Sequence, residues 1–173
     1  MRRSDLEHVI RAAAAIAQSR EIIIIGSQAV LGACPESPSD LPVSQEVDTY
    51  PADDPAKADL IDGSIGELSP FHERFGYYAH GVGPETARLP CAWRARTIRV
   101  ANENTGGVAG LCLSPADLAV SKLLAGRDKD VTFVGVMLAH DIVTGDQVTA
   151  LGSELSPEDR GLVEAALARW NQA

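Results

Sequence analysis

The feature that most constrains the fold is a run of four isoleucines at residues 22–25, which follows Glu21 and ends at Gly26. Isoleucine is β-branched and favours extended backbone, and glycine allows the chain to turn sharply. A strand in which every residue is apolar is typical of a sheet whose two faces are both covered. We therefore expect an α/β (α+β) protein in which a small mixed sheet is flanked by helices.

The other elements are predicted from helical periodicity, caps and turn residues. Ser4 and Glu7 form a capping-box pattern ahead of apolar residues at helical spacing, which predicts a first helix over residues 5–18. Further helices are predicted over residues 28–34, 56–65, 115–126, 130–140 and 143–151, and from Ser156 to about Trp170. Ser114 is expected to cap the helix at 115–126, and Gly126 to end it. Strands are predicted over residues 43–50, 75–82, 87–92 and 97–102 and near the glycines at 106–110, with the later ones forming a small antiparallel extension of the sheet. Because no long linker or repeat divides the chain, we expect one domain over residues 1–173, with a sheet-containing core at 1–113 and a helical part at 114–173 packed on it.

Composition limits the classes of function. The chain carries 24 acidic and 15 basic residues, a formal net charge of −9, which opposes non-specific attraction to nucleic-acid phosphates. A general nucleic-acid coat protein is disfavoured, although a local basic patch can still bind one RNA. The three cysteines include no CxxC pair, so neither a disulfide framework nor a zinc site is indicated. No stretch approaches the roughly 20 apolar residues of a membrane span and no signal peptide is recognised, so we expect a cytoplasmic protein with no membrane partner.

Two carboxylates on one predicted strand are the first candidate for chemistry. Glu46 and Asp48 lie two residues apart, so their side chains point to the same face, whereas Val47 points to the other. Two such carboxylates repel each other unless a cation lies between them, and Mg²⁺ is commonly held by one or two carboxylates together with substrate phosphates. The alternative is that the pair forms the solvated face of an edge strand.

A possible phosphate-binding turn precedes this pair. Gly26 and Ser27 end the isoleucine strand and lead into a predicted helix, whose first backbone N–H groups are unpaired and attract anions. A tight connection without a ligand is the simpler explanation for a Gly-Ser pair alone. The combination with two same-face carboxylates favours a site.

Together these residues carry a family resemblance. The segment IIIIGSQAV, followed by SQEVD, resembles the signature of the nucleotidyltransferase superfamily: an apolar strand, Gly-Ser, a spacer, and two carboxylates around one apolar residue. The resemblance implies that Gly26 and Ser27 bind a triphosphate and that Glu46 and Asp48 bind Mg²⁺. The spacer is longer than usual and the first carboxylate is Glu rather than the common Asp. A third carboxylate often completes such sites, and Glu103 is the best candidate for it.

A second segment extends the resemblance. SPADLAVSKLLAGRDKDV resembles a motif of AbiEii-type toxins and of uncharacterised nucleotidyltransferase-like bacterial proteins, and IDGSIGELSPFHERFGYYAHGV resembles the latter group, so the likeness spans most of residues 20–140. It implies catalytic roles for Lys122 and Asp130 and a phosphate-binding role for Arg127. A bidentate guanidinium and a compact ammonium both suit phosphate. The alternative is ordinary solvated charge at the end of a helix.

Histidine and aromatic residues are left out of the predicted site. His72 and His80 have no second histidine at metal-binding spacing, so we expect hydrogen-bonded surface or core residues. Tyr77, Tyr78 and Trp93 are expected to fill the core of the small sheet rather than to stack on a base.

The function expected from the resemblance is Mg²⁺-dependent transfer of a nucleotidyl group from a nucleoside triphosphate to RNA, such as tRNA, or to a protein. The resemblance also implies a toxin of a toxin–antitoxin pair, with a cognate antitoxin as partner. One alternative is a non-catalytic binding or regulatory protein of the same fold, which lacks a full carboxylate set. An unrelated interaction domain would require the Gly-Ser turn and the carboxylate pair to lie far apart.

Overall fold

In a computed structural model that describes residues 1–42 and 44–170, five strands form one mixed sheet. The strands are β1 (Glu21–Ile25), β2 (Glu46–Pro51), β3 (Tyr78–Gly81), β4 (Ile98–Val100) and β5 (Ala109–Cys112), in the spatial order β3-β2-β1-β5-β4. β1 is antiparallel to β2 and parallel to β5, β2 is parallel to β3, and β4 is antiparallel to β5. The mixed α/β class and the flanked sheet expected from the sequence are confirmed.

Helices precede, connect and follow the strands. The α-helices are α1 (Arg3–Ala17), α2 (Val30–Ala33), α3 (Ala58–Ile65), α4 (Pro70–Phe75), α5 (Pro115–Ala125), α6 (Asp128–Ala139), α7 (Gly145–Ala150) and α8 (Pro157–Ala168). Short 3-10 turns span Ser27–Ala29, Pro55–Lys57, Pro84–Thr86, Trp93–Arg96 and Leu151–Glu154. No helix within the described residues is long and apolar enough to cross a membrane.

Helix ends follow the predicted capping chemistry in the C-terminal part. Ser114 and Ser156 each accept a hydrogen bond from the backbone N–H three residues later, and a proline follows each cap. Gly126 ends α5 in the left-handed conformation, with φ +66°. At α1 the prediction was off, because Arg2 and Asp5 form the capping pair while Glu7 is buried.

The two faces of the sheet are covered by different parts of the chain. On one face Ile10 of α1 packs against Gly110 of β5, and α2 and α3 pack on the same face. The other face carries Ile25, and it is covered in part by Leu118 of α5. The four isoleucines of β1 are almost fully buried, as a central strand requires. The buried side chains of the sheet and of the C-terminal helices form one cluster.

One strand prediction was wrong, and a second was correct only in part. Residues 87–92 form no strand; they lie between the 3-10 turns Pro84–Thr86 and Trp93–Arg96, and Pro90 in this segment cannot donate to a ladder. The segment 75–82 begins as the end of α4, and β3 then joins β2 in parallel rather than as part of an antiparallel extension. The predicted start of the second strand, Val43, lies outside the described residues.

Candidate functional site

The pairing of β1 with β2 brings the Gly-Ser turn beside the carboxylate pair. Ile25 lies opposite Asp48 in the antiparallel ladder, so the chain turns at Gly26 next to that carboxylate. Gly26 has φ +69°, and a methyl group added there would lie 2.2 Å from Asp48 Oδ2. Glycine is therefore required both by the backbone conformation and by the close approach of the side chain.

The turn itself is short and firmly attached. The residues after Gly26 form the 3-10 turn Ser27–Ala29 and then the single-turn helix α2, which is shorter than the helix expected from the sequence. Gln28 is buried and donates a hydrogen bond from Nε2 to the carbonyl oxygen of Ser44, 2.9 Å away. This bond fixes the turn against the segment that leads into β2.

β3 adds two side chains that the sequence analysis had assigned elsewhere. Because β2 and β3 are parallel and in register, Tyr78 lies beside Glu46 and His80 beside Asp48. His80 Nδ1 lies 2.9 Å from Asp48 Oδ1 and 3.5 Å from Glu46 Oε1. The Tyr78 hydroxyl donates to Glu46 Oε2 over 3.0 Å. The expectations that His80 lies apart from the site and that Tyr78 only fills the core were therefore wrong.

The aromatic residues and the other histidine left out of the site do lie elsewhere. Tyr77 packs with His8, Phe71 and Phe75 beside α1. His72 accepts a hydrogen bond from the Leu68 backbone at the start of α4.

Glu46, Asp48 and His80 shift one another's pKa values because they lie close together. Burial and a hydrogen bond with Glu46 raise the pKa of Asp48 to about 6, against the opposing effect of His80. Burial also acts to raise the pKa of Glu46, but hydrogen bonds with Asp48, Tyr78 and His80 outweigh it and lower that pKa. Burial acts to lower the pKa of His80, but the hydrogen bond and the charge of Asp48 outweigh it and raise that pKa. The cluster therefore favours a positive charge at its centre.

The corner between α5 and α6 forms the opposite wall. Asp130 is buried, and each of its carboxylate oxygens holds one cation: Oδ1 lies 2.9 Å from Lys122 Nζ and Oδ2 lies 2.5 Å from Arg127 Nε. Lys122 Nζ also lies 4.4 Å from the centre of the Phe133 ring, a cation–π contact. Burial acts to raise the pKa of Asp130, but the hydrogen bonds from Arg127 and Lys122 outweigh it and lower that pKa.

One cavity of about 550 Å³ joins the two walls. Its volume falls in the range of roughly 300–1,000 Å³ that is usual for small-molecule sites. Seven of the residues singled out from the sequence line it, namely Gly26, Ser27, Glu46, Asp48, Lys122, Arg127 and Asp130. His80 and Lys129 line it as well. The structure thus brings the predicted residues together, with acids on one wall and cations on the other.

Glu103 does not belong to this cavity. It lies in the turn between β4 and β5, and β5 begins beside Glu21, at the end of β1 far from Gly26. The prediction of Glu103 as a third carboxylate was wrong. Glu103 does follow a strand, but that strand ends at the opposite end of the sheet from Gly26. The third group beside Glu46 and Asp48 is His80, and one ligand atom from each of the three lies within 4.8 Å of the others.

Comparison with known proteins identifies the family of this chain. The family model described as "Nucleotidyltransferase of unknown function (DUF6036)" matches residues 4–152, so the chain belongs to this family of nucleotidyltransferases. Searches of curated proteins and of solved structures gave no match. The resemblance to nucleotidyltransferases inferred from the sequence motifs is confirmed.

Proposed function

We propose that the cavity binds a nucleoside triphosphate with a divalent cation and that the protein transfers the nucleotidyl group to an acceptor. The observation that carries the proposal is the convergence of the Gly26 turn, the Glu46 and Asp48 carboxylates and the Lys122 and Arg127 cations on one cavity. In this reaction the acceptor oxygen bonds to the α-phosphorus while the bond to pyrophosphate breaks.

The residues of the two walls have separate tasks in the proposed reaction. The first N–H groups of the 3-10 turn after Gly26 have no partner inside that turn and face the phosphates. Arg127, whose side chain is largely exposed, binds a phosphate oxygen as a fork of donors. Asp130 holds Lys122 and Arg127 in place, so its role is to position the two cations.

Glu46 and Asp48 hold the cation on the other wall. The chemistry of the donor set supports this role, because two carboxylates on one strand face need a positive partner. A bound divalent cation would neutralise charge on the reacting phosphate and on the leaving pyrophosphate. Mg²⁺ is the ion implied by the resemblance, and the carboxylate oxygens fit it.

The acceptor that we propose is RNA, with tRNA as the first to test, or a protein. Arg127 and Lys129 are exposed at the rim of the cavity and provide a local basic surface on a chain of net charge −9. We further propose a cytoplasmic location, where nucleoside triphosphates are supplied, and the role of a toxin restrained by a cognate antitoxin. The toxin proposal rests on the AbiEii-type likeness of the segment that contains Lys122 and Asp130.

A labelling assay tests the proposal. The purified protein is incubated with each of the four nucleoside triphosphates, labelled on the α-phosphate, with and without divalent cation and bulk tRNA. We expect cation-dependent label on tRNA or on a protein, and no label with the Asp48→Asn variant. Cation-dependent nucleotide binding without transfer to any acceptor would instead support a non-catalytic binding protein of the same fold.

A further inference from the structure

The candidate cation site contains a nitrogen ligand. His80 Nδ1 lies 2.9 Å from one carboxylate oxygen of Asp48 and 3.5 Å from one of Glu46. Within residues 1–42 and 44–170, His80 is the one ion-pair partner of either carboxylate. An imidazole nitrogen thus lies within 3.5 Å of both carboxylates of the acidic pair.

The surrounding contacts direct these three groups toward one point. Tyr78 binds Glu46 Oε2, which leaves Oε1 on the side of His80. Asp48 Oδ2 lies against the backbone at Gly26, and Oδ1 is on the side of His80. Contacts that fix the second atom of each ligand in this way are typical of metal sites.

The donor set differs from the one that Mg²⁺ prefers. Mg²⁺ takes oxygen ligands and keeps most of its waters, whereas imidazole suits transition-metal ions. Mn²⁺ shares the preference of Mg²⁺ for carboxylate oxygen. As a transition-metal ion, it also takes an imidazole nitrogen more readily than Mg²⁺ does.

We propose that His80 Nδ1 completes the cation site with Glu46 and Asp48, and that the site therefore selects a divalent transition-metal ion such as Mn²⁺ over Mg²⁺. Nδ1 must carry no proton to bind the ion, because a ligating imidazole nitrogen uses its lone pair. This inference rests on the cation site of the proposed function, but it does not depend on catalysis.

Electron paramagnetic resonance of added Mn²⁺ tests the inference directly. We expect the wild-type protein with Mn²⁺ to show modulation from a coordinated ¹⁴N nucleus. In His80→Asp this nitrogen signal should vanish, and the ratio of Mg²⁺ to Mn²⁺ dissociation constants, measured by competition, should fall roughly tenfold or more. Loss of outer-shell partners alone costs about 10–100-fold in metal affinity. Loss of a direct nitrogen ligand should weaken Mn²⁺ by at least as much and Mg²⁺ by less, which lowers the ratio.

His140→Asp is the matched control. His140 Nε2 lies 3.0 Å from a carboxylate oxygen of Asp40, so this variant also places a carboxylate beside an aspartate, but away from the cavity. It should keep the nitrogen signal and the wild-type ratio. His80→Asn provides a second variant without an added charge, in case His80→Asp does not fold.

Three results would overturn the inference: no Mn²⁺ binding by the wild type, bound Mn²⁺ without a nitrogen signal, or an unchanged ratio in the His80 variants. The labelling assay distinguishes failure of this inference from failure of the proposed function. Transfer with Mg²⁺ and no nitrogen signal would refute the inference alone. Nitrogen-coordinated Mn²⁺ without transfer would refute the proposed activity and leave the inference intact.

Discussion

At the scale of single residues, Gly26 combines a left-handed backbone conformation with a close contact to a site residue. Its backbone has φ +69°, where side chains are rarely accommodated, and its missing side chain is the space into which Asp48 projects. A residue with a side chain in place of Gly26 would push the turn away from the Asp48 carboxylate. The site therefore depends on this glycine twice, through conformation and through space.

We predict that Gly26→Ala disrupts the site. The methyl group would lie 2.2 Å from Asp48 Oδ2, so the turn or the carboxylate must move. The free energy of unfolding of the variant should be about 1–3 kcal/mol lower than that of the wild type. The variant should also lose cation-dependent nucleotide binding. Gly63→Ala on α3 is the control, because an added methyl group meets nothing within 4 Å there. Equal stability and binding in both variants would contradict the prediction.

Asp48→Asn should remove cation-dependent stabilisation without damaging the fold. The change keeps the shape of the side chain and relieves its repulsion with Glu46, so the free energy of unfolding without cation should stay equal or rise by up to about 1 kcal/mol. A ligand that binds only the native state raises the melting temperature, so divalent cation with nucleotide should shift the wild type but not this variant. Asp59→Asn, at an exposed position on α3, should behave as the wild type does. Equal shifts in all three proteins would show that Asp48 does not hold the cation.

At the scale of elements, the corner between α5 and α6 is organised around one buried acid. Asp130 is 1% exposed and binds Lys122 from the preceding helix and Arg127 at the helix junction. Lys122 is itself buried, so its charge is compensated mainly by Asp130 and by the Phe133 ring. This corner carries the cationic wall of the cavity.

Asp130→Asn should be strongly destabilising. It leaves Lys122 buried without a charged partner, which costs about 3–5 kcal/mol in comparable buried pairs. The double variant Lys122→Met with Asp130→Asn should recover a large part of that loss, because it removes the buried charge as well. Urea unfolding of both variants checks this. Asp128→Asn, at an exposed position two residues earlier, should stay within about 1 kcal/mol of the wild type. A single variant as stable as the control would refute the structural role of the pair.

The acid dependence of stability should follow the same residue. The ion pairs lower the folded-state pKa of Asp130 below its ordinary value of 3.8, so at acid pH the unfolded chain binds more protons than the folded one. The contribution of Asp130 is therefore fully present above the unfolded pKa and is lost as pH falls through the folded pKa. The free energy of unfolding should fall less between pH 5 and pH 2 in the double variant than in the wild type. Unfolding measured at intervals of about one pH unit checks this. Parallel profiles would contradict this assignment.

At the scale of the whole molecule, Arg96 connects the segment before β4 to the C-terminal helices. Its guanidinium donates to both carboxylate oxygens of Asp117 on α5 and to the Glu154 carboxylate before α8. Asp117 is fully buried. These bonds hold α5, which carries Lys122 at the cavity, to the segment before β4.

Arg96→Met should loosen this attachment. The variant leaves Asp117 buried without its cation, at a cost of about 3 kcal/mol. It should also weaken nucleotide binding, although Arg96 does not line the candidate cavity. Arg99→Met is the control, because Arg99 pairs with Glu21 at the exposed surface, where ion pairs contribute about 0–1 kcal/mol. Chemical unfolding and nucleotide titration measure both effects. If the two arginine variants are equally stable, Arg96 does not tie the two parts together.

The sequence by itself determined the features that depend on neighbouring residues. The isoleucine run predicted β1 and its burial, Ser114 and Gly126 predicted the ends of α5, and the spacing of Glu46 and Asp48 placed both on one face. Caps, β-branching and alternation act over a few residues, so they can be recognised without knowledge of the fold.

Only the tertiary structure decided which strand lies beside the carboxylates. Tyr78 and His80 are two residues apart on β3 and share a face, but their value as site residues depends on the parallel register that sets His80 beside Asp48. Glu103 precedes β5, and because β5 runs parallel to β1, this residue lies near the start of β1, at the opposite end of the sheet from Gly26. The order and direction of strands are set by packing between distant segments, which local pattern does not encode, and for that reason the third group of the candidate site could not be identified from the sequence.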